Sequence, residues 1–219
     1  MSLARYQAVI FDWDGTLMNS EARIVASVQH AAKFCGLPVL DYHESKQIIG
    51  LSLDKAVSTL YPEIEPGLVE QVSQAYTQHF LHESDVAMQP YHGAVEMLES
   101  LHARGFKLAV ATGKSRKGLD AVLSQTGFES YFHITRTPVE SASKPDPLML
   151  TQILTHLELA VDQAVMVGDT TFDMQMAQTL GMPRIALSHG VHEIERLLPF
   201  DPVASFDELP ALERWLLND

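Results

Sequence analysis

Two aspartates separated by one residue, Asp12 and Asp14, close a short apolar run, and Gly15 and Thr16 follow them. Three later segments bring reactive residue types to similar positions: Thr112-Gly113-Lys114, Lys144 before Pro145, and Gly168-Asp169 with Asp173 four residues on. Carboxylates sharing one crevice repel each other and demand a cation, and an all-oxygen shell favours Mg²⁺ over softer metals. Beside such a cation a carboxylate can attack phosphorus, because the metal offsets the repulsion between two anions. Thr112 and Lys144 are suited to hold phosphoryl oxygens while charge moves across them. Asp14 stands where a protonated carboxyl could donate to a leaving oxygen and later activate water. Gly15 lets the backbone turn away from the run so that both acids face one pocket.

These residues meet only if the elements before them converge. Ala8–Phe11, Leu108–Ala111, Ala164–Val167 and Arg184–Leu187 are short and almost unbroken in apolarity, the pattern of parallel strands buried on both faces. Helical patterns lie between them. Val95, Leu98 and Leu101 share a face that stops at Gly105, and Leu119, Val122 and Leu123 share one that stops at Gly127. Asp146-Pro147 reads as N-cap and first helical residue before Leu150, Ile153, Leu154 and Leu157. Alternation of strand and helix predicts an α/β fold, a doubly wound, Rossmann-like parallel sheet. Ligands bind such sheets beyond the carboxyl ends of the strands, where all four reactive segments arrive.

From Asn19 to Met88 the alternation breaks. Ile24, Val25, Val28 and Ala32 form one helical face, Val57 and Leu60 a second, and Pro66 opens a third with Val69, Val72, Tyr76 and Phe80. No strand-like run appears there. The expected organisation is therefore a core of residues 1–18 and 89–219 with a small all-helical cap, 19–88, inserted after the first strand.

With 219 residues, 46% hydrophobic and 20% charged, the chain has the composition of a globular protein able to bury a core without disulfides. Lys plus Arg total 15 against 28 acids, a net charge of −13. That balance argues against nucleic acid and anionic membranes as partners and requires local positive charge at any phosphate site. No stretch approaches the ~18 apolar residues of a membrane span, and the run at Ala8–Phe11 is too short for a signal peptide. A cytoplasmic location is expected. The single cysteine, Cys35, reads as a small buried hydrophobe beside Phe34 and Leu37.

Bland readings compete for each residue singly. Asp12-x-Asp14 cannot start a calcium loop, since its glycine falls at position four and position twelve is Arg23. Gly113-Lys114-Ser115 lacks the glycine of a phosphate-binding P-loop, for Leu108 stands there. Asp169 and Asp173 could be acids at a helix start, and Lys144 a solvated lysine. Lys114, Arg116 and Lys117 read either as a solvated face or as phosphate steering. His189 and His192 read as packing or surface residues, Trp13 as core on the side away from the acids, and Met166, Met174 and Met176 as gap fillers. Convergence on one rim, not any single residue, carries the chemical reading.

Phe-Asp-Trp-Asp-Gly-Thr-Leu at 11–17, Ala-Thr-Gly at 111–113, Ser-Lys-Pro at 143–145 and Gly-Asp-Thr-Thr-Phe-Asp at 168–173 resemble, in order, the four motifs of the haloacid dehalogenase-like hydrolases. The helical insertion resembles the cap of the phosphoglycolate phosphatase and β-phosphoglucomutase branch. The resemblance implies Asp12 as a nucleophile forming an aspartyl-phosphate and Asp14 as general acid/base. Thr112, Gly113 and Lys144 are implied to hold the phosphoryl group. Mg²⁺ is implied on Asp12, Asp169 and the backbone carbonyl of Asp14, with Asp173 supporting its shell. An acid at position 14 implies phosphate-ester chemistry rather than dehalogenation. The expected activity is Mg²⁺-dependent hydrolysis of a small phosphorylated metabolite, phosphoglycolate-phosphatase-like. Two alternatives stand beside it: a β-phosphoglucomutase-like sugar-phosphate mutase, weakened because Leu53 follows Gly50-Leu51-Ser52, and a non-catalytic module that binds a phosphorylated ligand. Asn19 replaces an aspartate of many relatives and is expected to cap the first cap helix. Glu21, Arg23, Ser52 and Lys55 are the cap's candidates for substrate specificity, and a cap this small points to a monomer.

Overall fold

Strand β1 (Ala8–Phe11) sends Val9 and Phe11 into one hydrophobic cluster and Ala8 and Ile10 into another on the opposite side of the sheet. A strand alternates faces with every residue, so an unbroken apolar run is what burial on both sides demands. The same division holds for Leu108 and Val110 against Ala109 and Ala111, and for Val165 and Val167 against Ala164 and Met166.

The computed structural model describes residues 6–218, so 1–5 and 219 of the expected core lie outside the described residues. After β1 come β2 (Met18–Asn19) and four helices: α1 (Glu21–Phe34), α2 (Tyr42–Lys46), α3 (Leu53–Leu60) and α4 (Pro66–Gln78), the last prolonged by a π-helical turn, His79–Glu83. Then follow β3 (Gln89–Pro90), α5 (Ala94–Ala103), β4 (Lys107–Ala111), α6 (Arg116–Thr126), β5 (Ile134–Arg136) and α7 (Leu148–Leu157). The chain continues through β6 (Ala164–Gly168), α8 (Thr171–Thr179), β7 (Arg184–Leu187), α9 (Ile194–Leu197), β8 (Ala204–Phe206) and α10 (Leu209–Leu217). Among the described residues no helix is long and apolar enough to cross a membrane.

Six strands form one all-parallel sheet in the order β5-β4-β1-β6-β7-β8. β1 lies at its middle, with β4 on one side and β6 on the other, so the winding reverses there and opens a crevice at the carboxyl ends. The short ribbon β2–β3 is antiparallel and joins the chain where it leaves for the helices and where it returns. The fold is the predicted one, a Rossmann-like core with a helical cap after the first strand.

Local differences have local causes. β5 and β8, three residues each, lie at the sheet edges and are only partly buried, so no apolar run announces them. Helix α2 consists of Tyr-His-Glu-Ser-Lys and is set by a reciprocal capping box between Asp41 and Glu44 rather than by an apolar face. Helix α7 starts one residue later than expected, with Pro147 at the N-cap position, although the Asp146 carboxylate still accepts from Leu148 N at 2.9 Å. Asn19 does not cap α1; it is exposed in β2, and Ser20 takes the N-cap position with its hydroxyl turned to Asp14. Cys35 is only half-buried, and Phe34 is 76% exposed because it falls on the outer face of the last turn of α1. Trp13 and the three methionines are buried as expected, Trp13 with its ring edge to Phe128 and Phe132.

Candidate active site

Asp12 is the first residue past β1, its N–H donating to Val167 O at 3.0 Å on β6. Its Oδ1 lies 2.8 Å from Lys144 Nζ, which reaches Asp173 Oδ1 at 2.6 Å. All three side chains are fully buried or nearly so. Asp173 is fixed as the third residue of α8, where its Oδ2 accepts from the N–H and hydroxyl of Thr170 at 3.1 and 2.7 Å. That capping box explains why an acid stands there without making it a mere helix-start residue. Asp169, one past β6, accepts from the Thr16 hydroxyl at 2.7 Å and from Val191 N at 2.8 Å.

Oxygens of Asp12, Asp169 and Asp173 lie within 4.8 Å of one another. Asp12 Oδ2 is buried with no hydrogen-bond partner. An orphaned carboxylate oxygen among two more acids, with a single lysine between them, fits a hard divalent cation with oxygen ligands. Burial pushes the Asp12 carboxyl up to about 7; Lys144 opposes this, and Asp173 and Asp14 add to it. Burial likewise raises Asp169, reinforced by the charges of Asp12 and Asp173, against the donors Val191 and Thr16.

These shifts give a prediction. A carboxyl with a raised folded pKa holds its proton in the native state, and the stability this contributes is lost as pH climbs through about 7. A cation held on Asp12 would have to displace that proton at pH 5 but not at pH 8. The gain in melting temperature from added Mg²⁺ is therefore expected to be larger at pH 8. His192, which burial lowers to about 4, gives stability an opposite slope with pH. Thermal melts at the two pH values, with and without Mg²⁺, check this; an equal gain at both counts against it.

Asp14 faces a different set of partners. Lys114 Nζ approaches its two oxygens at 2.9 and 2.8 Å, and Ser20 donates to Oδ1 at 2.6 Å. Lys114 is neither solvated nor free to steer: its side chain is 8% exposed, and the ammonium sits 4.5 Å from the ring centroid of Phe80 in the cap. The π-helical turn after α4 sets Phe80 into that position, a local widening frequent at functional sites. Thr112 is buried and its hydroxyl accepts from Lys114 N at 3.2 Å.

Glycines mark close approaches. Gly15 has φ +85°, a backbone that favours glycine, and a Cβ there would strike the Asp169 carboxylate. A Cβ on Gly190 would strike the same carboxylate from the other side. At Gly113 it would meet the carbonyl oxygens of Gly50 and Leu51, so the main chains of core and cap come close there. Ser20, Gly190 and Val191 thus belong to the site although the sequence reading gave them no role, and Thr16 and Lys114, placed at the rim by the sequence, take the partners Asp169 and Asp14 that it did not foresee. His189 and His192 pack as expected, the first donating from Nε2 to Thr16 O at 3.2 Å and the second accepting from Thr171 N at 3.0 Å.

The cap candidates have other partners. Glu21 faces Lys46 at 3.7 Å; Arg23 donates to Ser84 O at 2.6 Å and lies over Phe80. Lys55 donates to Lys144 O at 3.2 Å, and Ser52 N donates to Ser143 Oγ at 2.9 Å. None of the four lines the cavity of about 80 Å³ between cap and core. That cavity runs from Asp14, Gly113 and Lys114 into aliphatic and aromatic side chains of α1, α3 and the end of α4.

A sequence profile described as haloacid dehalogenase-like hydrolase matches residues 9–187. "Probable phosphatase IndB" of Dickeya dadantii is 31% identical over 96% of this chain and 94% of its own length. The chain belongs to the haloacid dehalogenase-like hydrolases. Among relatives in these hydrolases, a phosphoglycolate phosphatase of Rhodospirillum rubrum is 28% identical over 96% of this chain and 90% of its own. The crystal structure of a hydrolase from Pseudomonas syringae, 24% identical, superposes with a TM-score of 0.86 over 97% of this chain and 98% of its own, a likeness of fold. Membership of this hydrolase family, together with the buried aspartate trio, makes the chain an enzyme of the phosphatase type.

Proposed function

We propose that the protein is a Mg²⁺-dependent phosphomonoesterase that passes the phosphoryl group of a small metabolite through Asp12. The observation that carries the reading is the Asp12 carboxylate, held by Lys144 through one oxygen and left without a partner at the other. When bound on the Asp12 and Asp169 carboxylates and the Asp14 carbonyl, with Asp173 orienting the set, Mg²⁺ supplies positive charge that offsets repulsion between acid and phosphate.

Asp12 forms a bond to phosphorus as the ester oxygen departs, and Asp14 gives that oxygen its proton. Lys144, the Thr112 hydroxyl and the Gly113 N–H bear on the phosphoryl oxygens in the transition state. Water then attacks phosphorus, its proton passes to Asp14, and the Asp12 carboxylate is regenerated with release of phosphate. To serve as acid, Asp14 takes up a proton and turns one oxygen to the leaving oxygen, while Lys114 keeps the other. Residues 19–88 act as the cap, excluding bulk water in the first step and admitting one water in the second.

Release of inorganic phosphate from a generic aryl phosphate tests the reading. Turnover is expected with Mg²⁺, a loss of at least about 100-fold with chelator, and recovery on adding Mg²⁺ back. Phosphate release that ignores chelation, or none with Mg²⁺ in excess, sinks it.

A further inference from the structure

We infer that the leaving group this enzyme accepts is apolar, a short alkyl or aryl alcohol without charge; the inference rests on the proposed role of Asp14. The cavity begins at Asp14, the group assigned to the departing oxygen, so whatever carbon skeleton that oxygen carries enters the space beyond. Ile24, Ile49, Leu53, Ala56, Phe80 and Leu81 form much of its wall. The acidic and basic side chains on the wall, Asp14 and Lys114, face each other at 2.8 Å.

Among the described residues no Lys, Arg or His of the cap lines the cavity. Arg23 and Lys55 are bound to the carbonyls of Ser84 and Lys144, and Lys46 pairs with Glu21 outside the cavity. A carboxylate or second phosphate pushed into this wall would lose its hydration against a single ammonium, Lys114, that already faces Asp14, a cost that disfavours it. Methylenes gain instead, because each one leaves water for apolar contact. Thr77, Ser115 and the Tyr76 hydroxyl offer the wall a few neutral polar atoms, enough to meet a hydroxyl or carbonyl on an otherwise carbon-rich alcohol. One water needs roughly 10–15 Å³ on this measure, so the cavity of about 80 Å³ admits several heavy atoms rather than a lone solvent molecule.

The test is a kinetic series on the intact enzyme with Mg²⁺: ethyl, butyl and hexyl phosphate against 2-phosphoglycolate and glycerol 3-phosphate. The alkyl leaving groups differ little in intrinsic reactivity, so the wall alone sets their ranking. kcat/KM is expected to rise by about fourfold per methylene until the space is filled, and the two polar esters to fall below butyl phosphate. In Ala56→Leu, which narrows the cavity, the ratio of hexyl to ethyl phosphate is expected to drop about tenfold. A flat alkyl series, or 2-phosphoglycolate as the preferred ester, overturns the apolar leaving group while the phosphatase reading stands. An unchanged hexyl-to-ethyl ratio in a folded Ala56→Leu overturns it too. If that variant does not fold, the series on the unaltered chain decides. No phosphate from any of the five esters overturns both readings together.

Discussion

Asp12→Asn is expected to lower phosphate release by about 10⁴-fold or more while the protein still melts cooperatively. Loss of a group that forms the covalent bond removes most of the catalytic gain at once, because the remaining machinery acts through it. The amide has the shape of the carboxyl but cannot attack phosphorus. The fold tolerates the change, since Asp12 is already held by burial with its carboxyl at about 7 and so carries an ionisation the interior resists. Lys144 keeps Asp173 as a partner at 2.6 Å. Phosphate assays and thermal melts on the same preparation separate the two effects. Undiminished turnover in the folded variant would falsify covalent catalysis by Asp12.

Lys144→Met is expected to damage both stability and activity. Lys144 lies wholly inside the protein between Asp12 at 2.8 Å and Asp173 at 2.6 Å. Burial tends to lower its pKa, but the two carboxylates outweigh that and raise it. A lysine with a raised folded pKa contributes its full stabilisation below about 10.4 and loses it only at higher pH, so Lys144 keeps its charge through the neutral range. Methionine fills the volume but leaves two buried acids facing each other, at a cost of about 3–5 kcal/mol. For a chain this size that is a fall of roughly 6–20 °C in melting temperature. The deficit is expected to shrink at pH 5, where Asp12 can take up a proton, and on adding Mg²⁺ at pH 8. An equal deficit at all pH values would mean that lost packing, not unpaired charge, is the cause.

How far the sequence alone reached depended on the range of the interaction. β1, β4, β6 and β7 are visible because a strand covered on both faces must be apolar throughout, and Asp12, Thr112 and Asp169 then follow at their carboxyl ends. β5 and β8 carry no such pattern, since edge strands keep one side half open. The reading of Lys114 as solvated or steering was reasonable from three cations at a helix start. What overrides it is Asp14, a hundred residues away in the chain and 2.8 Å away in space. Thr16 is hidden for the same reason, bonded to Asp169 across 153 residues. The one local signal for the rim of Asp169 was glycine itself: positions 15 and 190 are the places where no side chain fits. Nothing in their immediate surroundings names the carboxylate they make room for. The apolar lining of the cap–core cavity was equally hidden, because the residues on the cap that attract notice in a sequence are charged, and those turn to backbone carbonyls and to each other.

The bare backbone meeting between Gly113 and the carbonyls of Gly50 and Leu51 separates two tasks that many enzymes entangle. Part of where the lid lands is dictated by atoms every amino acid shares, beside ties such as Ser52 to Ser143 and Lys55 to Lys144, whereas most of what it shelters is dictated by apolar side chains. Mutations at Leu53, Ala56 or Leu81 can thus retune the chamber without moving its door, leaving this scaffold open to new esters by small steps that never disturb the phosphoryl-transfer rim.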